Sequence, residues 1–397
     1  MSKLRISLAL VVVVGLTGAL VVGSACASAG AVATGERRAR VERSPQWKGE
    51  AFENALPREQ APAGELLSAW VFGGSDHREP ETALPVEKRT RADYETPPAS
   101  GLRVTWLGHS TLLVEIDGAR VLVDPVFSER ASPFSFVGPK RWYAPPLPLA
   151  ELPKIDAIVI SHDHYDHLDA EFMQAMVDVD VRIAVPLGIG AHLEAWGIDA
   201  ARIDELDWWE SVTVGGVTLT STPARHFSGR WIDDGGQTLW CGWAMVGPTH
   251  RAYYSGDTAM FDGVVDIGAK LGPFDVTMIE AGAYDQMWAD VHLGPEQAVR
   301  VHQLVGGALF MPVHWGLFDL ALHGYTEPIE RVVVAAERAG VRVVSPQPGG
   351  RFEPSTVGPV VRWWPTVPWK TVDEAPAWSS GVDALIEEAK AWSARRP

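Results

Sequence analysis

The sequence predicts an α/β sandwich in which two mixed β-sheets lie face to face and helices cover their outer sides. Three successive strands come first, over 102–107, 111–116 and 120–123, and Asp117-Gly118 is a hairpin turn between the last two. Farther along the chain, strands alternate with helices instead. A meander followed by strand–helix alternation is typical of two mixed sheets with helices outside.

The remaining elements are predicted from short apolar runs, from helical periodicity and from the turn residues between them. Further strands are predicted over 155–160, 182–185, 211–214, 217–222, 238–246, 251–255, 276–279, 308–312 and 341–344. Helices are predicted over 169–177, 188–196, 261–271, 295–305, 328–339 and 381–394. Pro295 marks the first turn of one helix, and Gly340 follows the end of another.

Four segments are expected along the chain. Lys3 and Arg5 precede an apolar run and the small residues around Cys26, which is typical of a bacterial export signal over 1–26. Residues 27–100 are rich in Ala, Glu, Arg and Pro and are interpreted as a linker plus an irregular arm packed on the body. The sandwich domain is expected over 101–355, followed by a C-terminal extension with a terminal helix over 356–397.

The export signal leaves two forms of the mature protein open. Cleavage before Cys26 would leave a lipid-modified cysteine that anchors the protein, and this interpretation is favoured. Cleavage after Ala27 would instead release a soluble protein. In both cases the protein is predicted to be exported, and in the first it stays in the cell envelope.

Composition limits the classes of partner. The chain has 397 residues, 46% of them hydrophobic, which is ample for a large core. A net charge of −16 disfavours general binding to nucleic-acid phosphates, so no nucleic-acid partner is expected. Besides Cys26 the sequence holds one cysteine, Cys241, and no intramolecular disulfide is expected. The oligomeric state stays open.

The densest motif in the sequence lies just after the predicted strand over 155–160. His162, His164, Asp166 and His167 fall within six residues, at the spacing H-x-H-x-D-H. Because a predicted helix follows, the motif is placed on a loop at the carboxyl end of a strand, where α/β sheets usually hold their sites. Imidazole and carboxylate ligands suit zinc and neighbouring transition metals. One tetrahedral ion would not need so many ligands from one loop, which indicates two metals close together.

Four other residues also follow the end of a predicted strand, one of them before the loop in the sequence and three after it. They are Asp124, His226, Asp257 and His314. A single histidine or aspartate there is usually an ordinary polar residue. Together with the H-x-H-x-D-H loop, however, they form a consistent set of candidate ligands.

These stretches resemble the metallo-β-lactamase superfamily and, within it, the N-acylphosphatidylethanolamine-hydrolysing phospholipase D family and its bacterial relatives. The similarity covers roughly 102–352 and rests on Trp106-Leu107-Gly108-His109-Ser110-Thr111, Asp124-Pro125-Val126-Phe127-Ser128, Pro139-Lys140-Arg141, His162 to Asp169, Arg225-His226, Leu239-Trp240-Cys241-Gly242-Trp243, Gly256-Asp257-Thr258, His292 to Glu296 and His314-Trp315-Gly316. It implies a four-layer αββα sandwich with a dinuclear metal site.

The resemblance also implies a ligand set. It assigns His162, His164 and His226 to one metal and Asp166, His167 and His314 to the other, with Asp257 bridging both. Asp124 is implied to support the metal loop from behind. Zinc is expected first, with manganese or iron as alternatives.

Further residues are candidates beside the ligands. Asp166, Asp257 and His323 are assigned catalytic roles, whereas His109 and His292 are expected to contact substrate phosphate or to support the ligands. Asp163 could assist proton transfer or be a carboxylate on the loop surface. The histidines that belong to no cluster receive no role; they are His77, His192, His250 and His302.

The resemblance implies a phospholipase D-type phosphodiesterase in which a hydroxide bridging the two metals attacks N-acylphosphatidylethanolamine-like phospholipids at a membrane surface. A lactonase or a hydrolase of small phosphodiesters of the same superfamily is the alternative. A third hypothesis is a non-catalytic exported binding protein that keeps metals for structure. It is disfavoured because a structural site does not need a bridging carboxylate.

Overall fold

The computed structural model of the protein describes residues 28–393, so the predicted export signal and Cys26 lie outside the described residues. Its strands are β1 (Leu102–Gly108), β2 (Thr111–Ile116), β3 (Ala119–Val123), β4 (Ala157–Val159), β5 (Arg182–Pro186), β6 (Ile203–Leu206), β7 (Ser211–Val214), β8 (Val217–Thr222), β9 (Gly242–Val246), β10 (Arg251–Tyr254), β11 (Val276–Glu280), β12 (Phe310–Val313) and β13 (Arg351–Phe352). Its helices are α1 (Gly35–Glu42), α2 (Ala63–Phe72), α3 (Ala170–Ala175), α4 (Gly190–Ala195), α5 (Gly263–Leu271), α6 (Pro295–Leu304), α7 (Glu327–Ala339) and α8 (Asp383–Ser393). Single turns of 3-10 helix lie at Arg91–Tyr94, Leu149–Glu151, Ala200–Arg202 and Gln286–Trp288.

The first sheet has the strand order β13-β1-β2-β3-β4-β5-β6. Its early strands β1, β2 and β3 are antiparallel neighbours, whereas β3, β4, β5 and β6 run parallel. The hairpin between β2 and β3 turns at Asp117-Gly118, as predicted, and both residues adopt the left-handed backbone that such a turn requires. β4 is buried along its whole length, as expected for a strand that is covered on both faces.

The second sheet has the order β12-β11-β10-β9-β8-β7. It is also mixed, because β7 to β10 are antiparallel and β10, β11 and β12 are parallel. Between the two sheets lies one apolar layer that contains Trp243, Met311 and the stacked rings of Trp106 and Trp315, whose centroids are 5.4 Å apart. The sheets therefore face each other across a common core.

Helices cover the outer face of each sheet. α3 and α4 bury Phe172 and Leu193 against the first sheet, and α6 and α8 bury Val301 and Ile386 on the side of the second. The helix α7 is delimited as the sequence predicts, since proline lies in its first turn and Gly340 caps its end with a φ of 68°. The result is the four-layer αββα sandwich that the sequence predicts.

The structure differs from the sequence-based prediction at several elements. The run 341–344 is not a strand: only Val343 bridges to Phe310. It is apolar because Val343 and Val344 pack into the cores, and burial alone satisfies that pattern. The strands β6 and β13 were not predicted. Nor were α1 and α2 within the segment expected to be irregular. In α1 only Val41 is buried, so the apolar period that would reveal the helix is missing.

Residues 50–78, called the arm below, contact the segments that follow β8, β11 and β12. The backbone N–H of Phe52 donates to the carbonyl of Gly236 at 2.9 Å, that of Ala61 to Met287 at 2.8 Å and that of Ser75 to Leu322 at 2.7 Å. Within residues 28–393, none of the helices is both long and apolar enough to cross a bilayer.

Candidate metal centre

The loop over 160–169, called the metal loop below, is fixed at both ends by buried carboxylates. Asp124, directly after β3, accepts hydrogen bonds from the backbone N–H and the hydroxyl of Ser161 at 2.7 and 2.5 Å. Asp169 caps α3 by accepting from the N–H groups of Glu171 and Phe172. The histidines between these anchors are therefore held on a short stretch of backbone that is fixed at both ends.

Asp124 also orients one of the histidines. Its Oδ2 atom lies 2.7 Å from His167 Nδ1, and the hydroxyl of Tyr254 donates to the same oxygen at 2.5 Å. Both Asp124 and His167 are completely buried. Because Nδ1 is engaged, Nε2 of His167 is the atom that faces the centre of the site. Asp124 lies where the resemblance implies, behind the metal loop.

Three residues of the site adopt a left-handed backbone that is uncommon outside glycine. They are His109 with a φ of 52°, Asp124 with 38° and His314 with 65°. Each follows the end of a strand, and such strained positions persist where the surrounding structure holds them and cluster at functional sites. The strain indicates that these side chains are aimed at the site by the fold around them.

His162, His164 and His226 form a first group of candidate metal ligands, called the first ligand group below. One ring nitrogen of each lies within 4.8 Å of the others. His164 Nδ1 is 2.9 Å from His162 Nε2 and 3.3 Å from His226 Nε2, while His226 Nδ1 donates to the carbonyl of Val291 at 2.7 Å. Burial lowers the pKa of all three imidazoles, which keeps them in the neutral form that binds metal ions.

The second ligand group contains Asp166, His167 and His314, and the structure adds His109 to it. Asp166 Oδ2 lies 3.0 Å from His109 Nε2, 3.4 Å from His167 Nε2 and 3.3 Å from His314 Nε2. Burial lowers the pKa of His109 to about 3, so its neutral ring donates to the carboxylate. His109 therefore orients Asp166.

Asp257 lies between the two groups. Its Oδ2 atom is 2.9 Å from His314 Nε2 and 3.2 Å from His167 Nε2, and it is 3.7 Å from His162 Nε2 and 3.8 Å from His226 Nε2. Burial alone would raise the pKa of Asp257, but the neighbouring His167 and His314 lower it well below its ordinary value. One ionised carboxylate thus contacts ligands from both groups.

The donor set fits metal ions. Asp257 Oδ1 is a buried atom without a hydrogen-bond partner among residues 28–393, and the Nε2 atoms of His167 and His314 lie near carboxylate oxygens there but make no well-directed hydrogen bond. Leaving such groups unpaired in a protein interior costs about 1–3 kcal/mol each, so they indicate a partner that is not part of the chain. Imidazole nitrogens with carboxylate oxygens are the ligands of zinc and its transition-metal neighbours.

Glu280, at the end of β11, is a site residue that the sequence did not reveal. It is completely buried and accepts from the backbone N–H of Thr258 at 2.5 Å, and its other oxygen lies 2.7 Å from His292 Nδ1. It therefore fixes the ring of His292, which was predicted to contact substrate or support the ligands. No sequence signal distinguishes Glu280, because it is the last residue of an otherwise apolar strand.

The sequence left two interpretations of Asp163 open, a carboxylate on the loop surface or a group that assists proton transfer, and the structure contradicts the first. It is buried, and it accepts from the N–H of Gly229 at 2.8 Å and from the hydroxyl of Thr238 at 2.7 Å. His192, which had no predicted role, places its Nε2 atom 3.5 Å from the same carboxylate. Asp163 thus ties the metal loop to the segment 229–238.

His323 was assigned a catalytic role from the sequence. Its ring stacks on Tyr284 with centroids 4.5 Å apart, and its Nδ1 atom donates to the carbonyl of Gly324 at 2.9 Å. It shares a narrow cavity with His314, but it belongs to neither ligand group. The structure therefore puts His323 beside the site.

The arm supplies one further residue that sequence reasoning missed. The side chain of Asn54 donates to the carbonyl of His226 at 2.7 Å and accepts from its backbone N–H at 3.1 Å. Asn54 and His226 are separated by 172 residues, so no local pattern connects them. A ligand of the first group is consequently held by a segment that precedes the sandwich.

Known proteins match this chain in sequence. Residues 119–315 match the family described as "Beta-lactamase superfamily domain". An uncharacterized protein of Mycobacterium tuberculosis is 46% identical over 334 residues, which are 82% of this chain and 89% of that protein. A Caenorhabditis elegans protein named N-acyl-phosphatidylethanolamine-hydrolyzing phospholipase D 1 is 40% identical over 271 residues, 65% of this chain and 76% of that protein.

A solved structure matches the fold. The isothiocyanate hydrolase from Delia radicum gut bacteria aligns with a TM-score of 0.52 at 22% identity, over 63% of this chain and 98% of that one. At this identity the match supports the fold alone, and the fold agrees with the sequence relatives. The chain therefore belongs to the metallo-β-lactamase superfamily, where it is similar to the N-acyl-phosphatidylethanolamine-hydrolysing phospholipase D family, and it is a metal-dependent hydrolase.

Proposed function

We propose that the protein is a dinuclear metal-dependent phosphodiesterase of phospholipase D type that hydrolyses N-acylphosphatidylethanolamine-like phospholipids. The observation that carries the proposal is the position of Asp257, whose Oδ2 atom lies within 3.8 Å of ligand nitrogens from both groups. A carboxylate shared by two ligand groups suits two neighbouring cations. The worm relative is named for hydrolysis of this class of phospholipid.

In this proposal the first ligand group holds one divalent ion, and Asp166, His167 and His314 hold the other. Zinc is the first choice, with manganese or iron as alternatives. Two such ions, when bound, would supply an acidic water as nucleophile and stabilise negative charge on the phosphoryl oxygens. No nucleophilic serine or cysteine is required.

The residues around the ions have separate tasks. Asp124 and His109 orient His167 and Asp166, as their hydrogen bonds indicate. His292 is fixed at Nδ1 by Glu280, so Nε2 is the ring atom left to hold the oxygen of the departing alcohol. His164 and Asp166, which are partly exposed, border the opening through which a headgroup would enter.

A membrane surface is proposed as the place of reaction. Exposed apolar side chains project from three segments that contact the metal loop or its neighbours: Phe72 in α2 is 87% exposed, Phe136 is 63% exposed and Ile232 is 93% exposed. Single exposed apolar residues are common, but three strongly exposed apolar side chains suit contact with lipid. Membrane contact would bring the opening to its substrate.

We also propose that the protein is exported and anchored through Cys26. Arg230 donates to the carbonyl of Ser28 at 2.8 Å, and the Ser28 hydroxyl donates to the carbonyl of Pro133 at 3.2 Å. Ser28, which is two residues after Cys26 in the sequence, therefore lies beside the loops that carry Phe136 and Ile232. Cell fractionation of wild type and Cys26→Ser tests the anchor, which predicts that only wild type stays with membranes.

The proposed activity is tested with protein lacking residues 1–27 and loaded with zinc or manganese. Release of phosphatidic acid from N-acylphosphatidylethanolamine vesicles is measured, with His164→Ala as the control. Metal-dependent release that the control lacks is the expected result. Hydrolysis of a lactone or a small aryl phosphodiester without phospholipid turnover would assign the alternative substrate classes. Metal binding without turnover of any of these esters would make the site structural.

A further inference from the structure

The arm forms one wall of a cleft that opens beside the first ligand group. The cleft has a volume of about 380 Å³ and is lined by Asn54, Pro57, Arg58, His226, Phe227 and Trp240, among others. Two of these residues belong to the site already described, namely the ligand His226 and its arm partner Asn54. The cleft therefore extends the metal centre toward the arm.

Phe227 separates the ligands from an arginine of the arm. Its ring centroid lies 4.5 Å from that of His164 and 4.7 Å from that of His226. On Phe227 lies the guanidinium of Arg58, with Cζ 4.8 Å from the ring centroid. A guanidinium stacked on an aromatic ring is held in orientation while the N–H groups along its edge remain able to donate. One aromatic ring thus stands between this cation and two ligands of the first group.

Arg58 differs from the other arginines near the site because its charge is not neutralised. Arg225 pairs with Asp290 at 3.1 Å, and Arg78 pairs with Asp319 at 2.9 Å. Arg230 is buried and donates to backbone carbonyls, including that of Asp163 at 2.6 Å. Within residues 28–393, Arg58 makes the stacking contact with Phe227 and has no carboxylate within ion-pair distance.

We propose that Arg58, held against Phe227, binds the negatively charged phosphate of the substrate as the headgroup enters this cleft, before the phosphate reaches the ions. The inference rests on the proposed function, because it names a residue that recognises the phospholipid. Arginine donates two parallel hydrogen bonds to phosphate oxygens, which gives direction as well as attraction. Arg58 carries a positive charge without a paired carboxylate beside the proposed metal ions, and it would not be a ligand of either ion.

The acidic character of the protein makes a cation at the cleft useful for binding an anionic headgroup. The chain has a net charge of −16, and Glu53 lines the same cleft. An anionic headgroup that approaches this surface therefore meets repulsion outside the metal centre. A single exposed cation on the wall of the cleft provides a local attraction where the headgroup enters.

The test measures binding of dihexanoyl phosphatidic acid to zinc-loaded protein by calorimetry, with dihexanoylglycerol as an uncharged probe. Arg58→Ala is expected to weaken phosphatidic acid binding about tenfold, as loss of a charge-assisted hydrogen bond predicts. Binding of dihexanoylglycerol should be unchanged. The affinity of wild type for phosphatidic acid should fall with added salt, and that of the variant should fall less.

Two variants separate charge from packing. Arg58→Gln keeps a planar group over Phe227 but removes the cation, and it should behave like Arg58→Ala. Arg43→Ala removes an exposed arginine just after α1, outside the cleft, and should bind phosphatidic acid like wild type. A melting temperature shared by all variants would show that the arm stays in place.

Each outcome decides the proposal. Equal phosphatidic acid affinity for wild type and Arg58→Gln would overturn it, as would wild type that binds no phosphatidic acid. An equal loss in Arg43→Ala would reduce the effect to overall charge and also overturn it. If wild type turns over no phospholipid while Arg58→Gln still loses phosphate affinity, the anion site stands and the proposed function fails.

Discussion

The two ligand groups of the metal centre are supported in different ways. His167, in the second group, is held by Asp124, a completely buried carboxylate at the end of a central strand that accepts hydrogen bonds from Ser161 and Tyr254 as well. His226, in the first group, is held by the carbonyl of Val291 and by Asn54 from the arm. The second group therefore depends on the core of the sandwich, and the first depends partly on a segment outside it.

The largest expected effect comes from the carboxylate that the two groups share. Asp257→Asn should lower turnover by on the order of 10³-fold, because both of the proposed cations would lose a ligand and its charge. Metal content measured by mass spectrometry should fall at the same time. Circular dichroism should show that the sandwich stays folded. Full activity in Asp257→Asn would contradict the assignment of the site.

Asp124 should rank next. Asp124→Asn keeps the shape of the side chain but weakens its support of His167 and of the Ser161 backbone. Loss of such a supporting group typically lowers metal affinity by about 10–100-fold. Titration against a chromophoric chelator would measure this loss. The comparison predicts that the more weakly bound ion is the one held by the second group, and equal weakening of both ions would argue against it.

Substitution of Asn54 should have a smaller effect, and it should weaken the ion of the first group instead of the second. Asn54→Ala removes two hydrogen bonds to the backbone of His226, and the ion of the first group should bind about three- to tenfold more weakly. Binding at the second group should not change. Asn54→Asp, which keeps the acceptor for the N–H of His226, should recover part of the affinity. An effect on both ions would show that the arm supports the whole centre.

A carboxylate far from the site should affect stability alone, and only slightly. Burial would raise the pKa of Asp117, but hydrogen bonds from His250 and from the backbone of Thr249 lower it below its ordinary value of 3.8. The Asp117 carboxylate therefore contributes fully to the free energy of unfolding above its ordinary pKa of 3.8. That contribution is lost as the pH falls through the lower pKa of the folded state. The expected loss is below about 1 kcal/mol.

Thermal unfolding between pH 3 and 6 compares wild type with Asp117→Asn. The melting temperature of wild type should exceed that of the variant most at the upper end of the range, and the difference should shrink toward the lower end. Metal content at pH 6 should be the same in both proteins. A constant difference across the range would mean that the Asp117 carboxylate does not titrate with unfolding.

The same contrast explains what could be predicted from the sequence. The metal loop was predictable because four of its candidate ligands are neighbours in the chain, and the end of a buried strand fixes where they lie. Asp257 and His314 were predictable because each follows a recognisable strand. The sandwich itself followed from strand order. These features are local patterns repeated along the chain.

Asp124 was predictable as a supporting residue because it also follows a strand, but other supporting residues were not. Asn54 reaches His226 across 172 residues, His192 contacts Asp163 from a separate helix, and Glu280 is hidden at the end of an apolar strand. The helices α1 and α2 were not predicted for another reason. They bury almost nothing, so hydrophobic periodicity does not mark them.

The arm also has a consequence for how the protein is assembled. It is among the first parts of the described chain to be synthesised, yet its backbone partners lie at Gly236, Met287 and Leu322. It cannot dock until those distant segments have folded, since long-range contacts form only after the chain between them has been ordered. We therefore expect the arm to dock after the sandwich has folded, so that His226 stays uncovered on that side until then. In that order of events, cations would have a wider route to His226 than in the finished molecule.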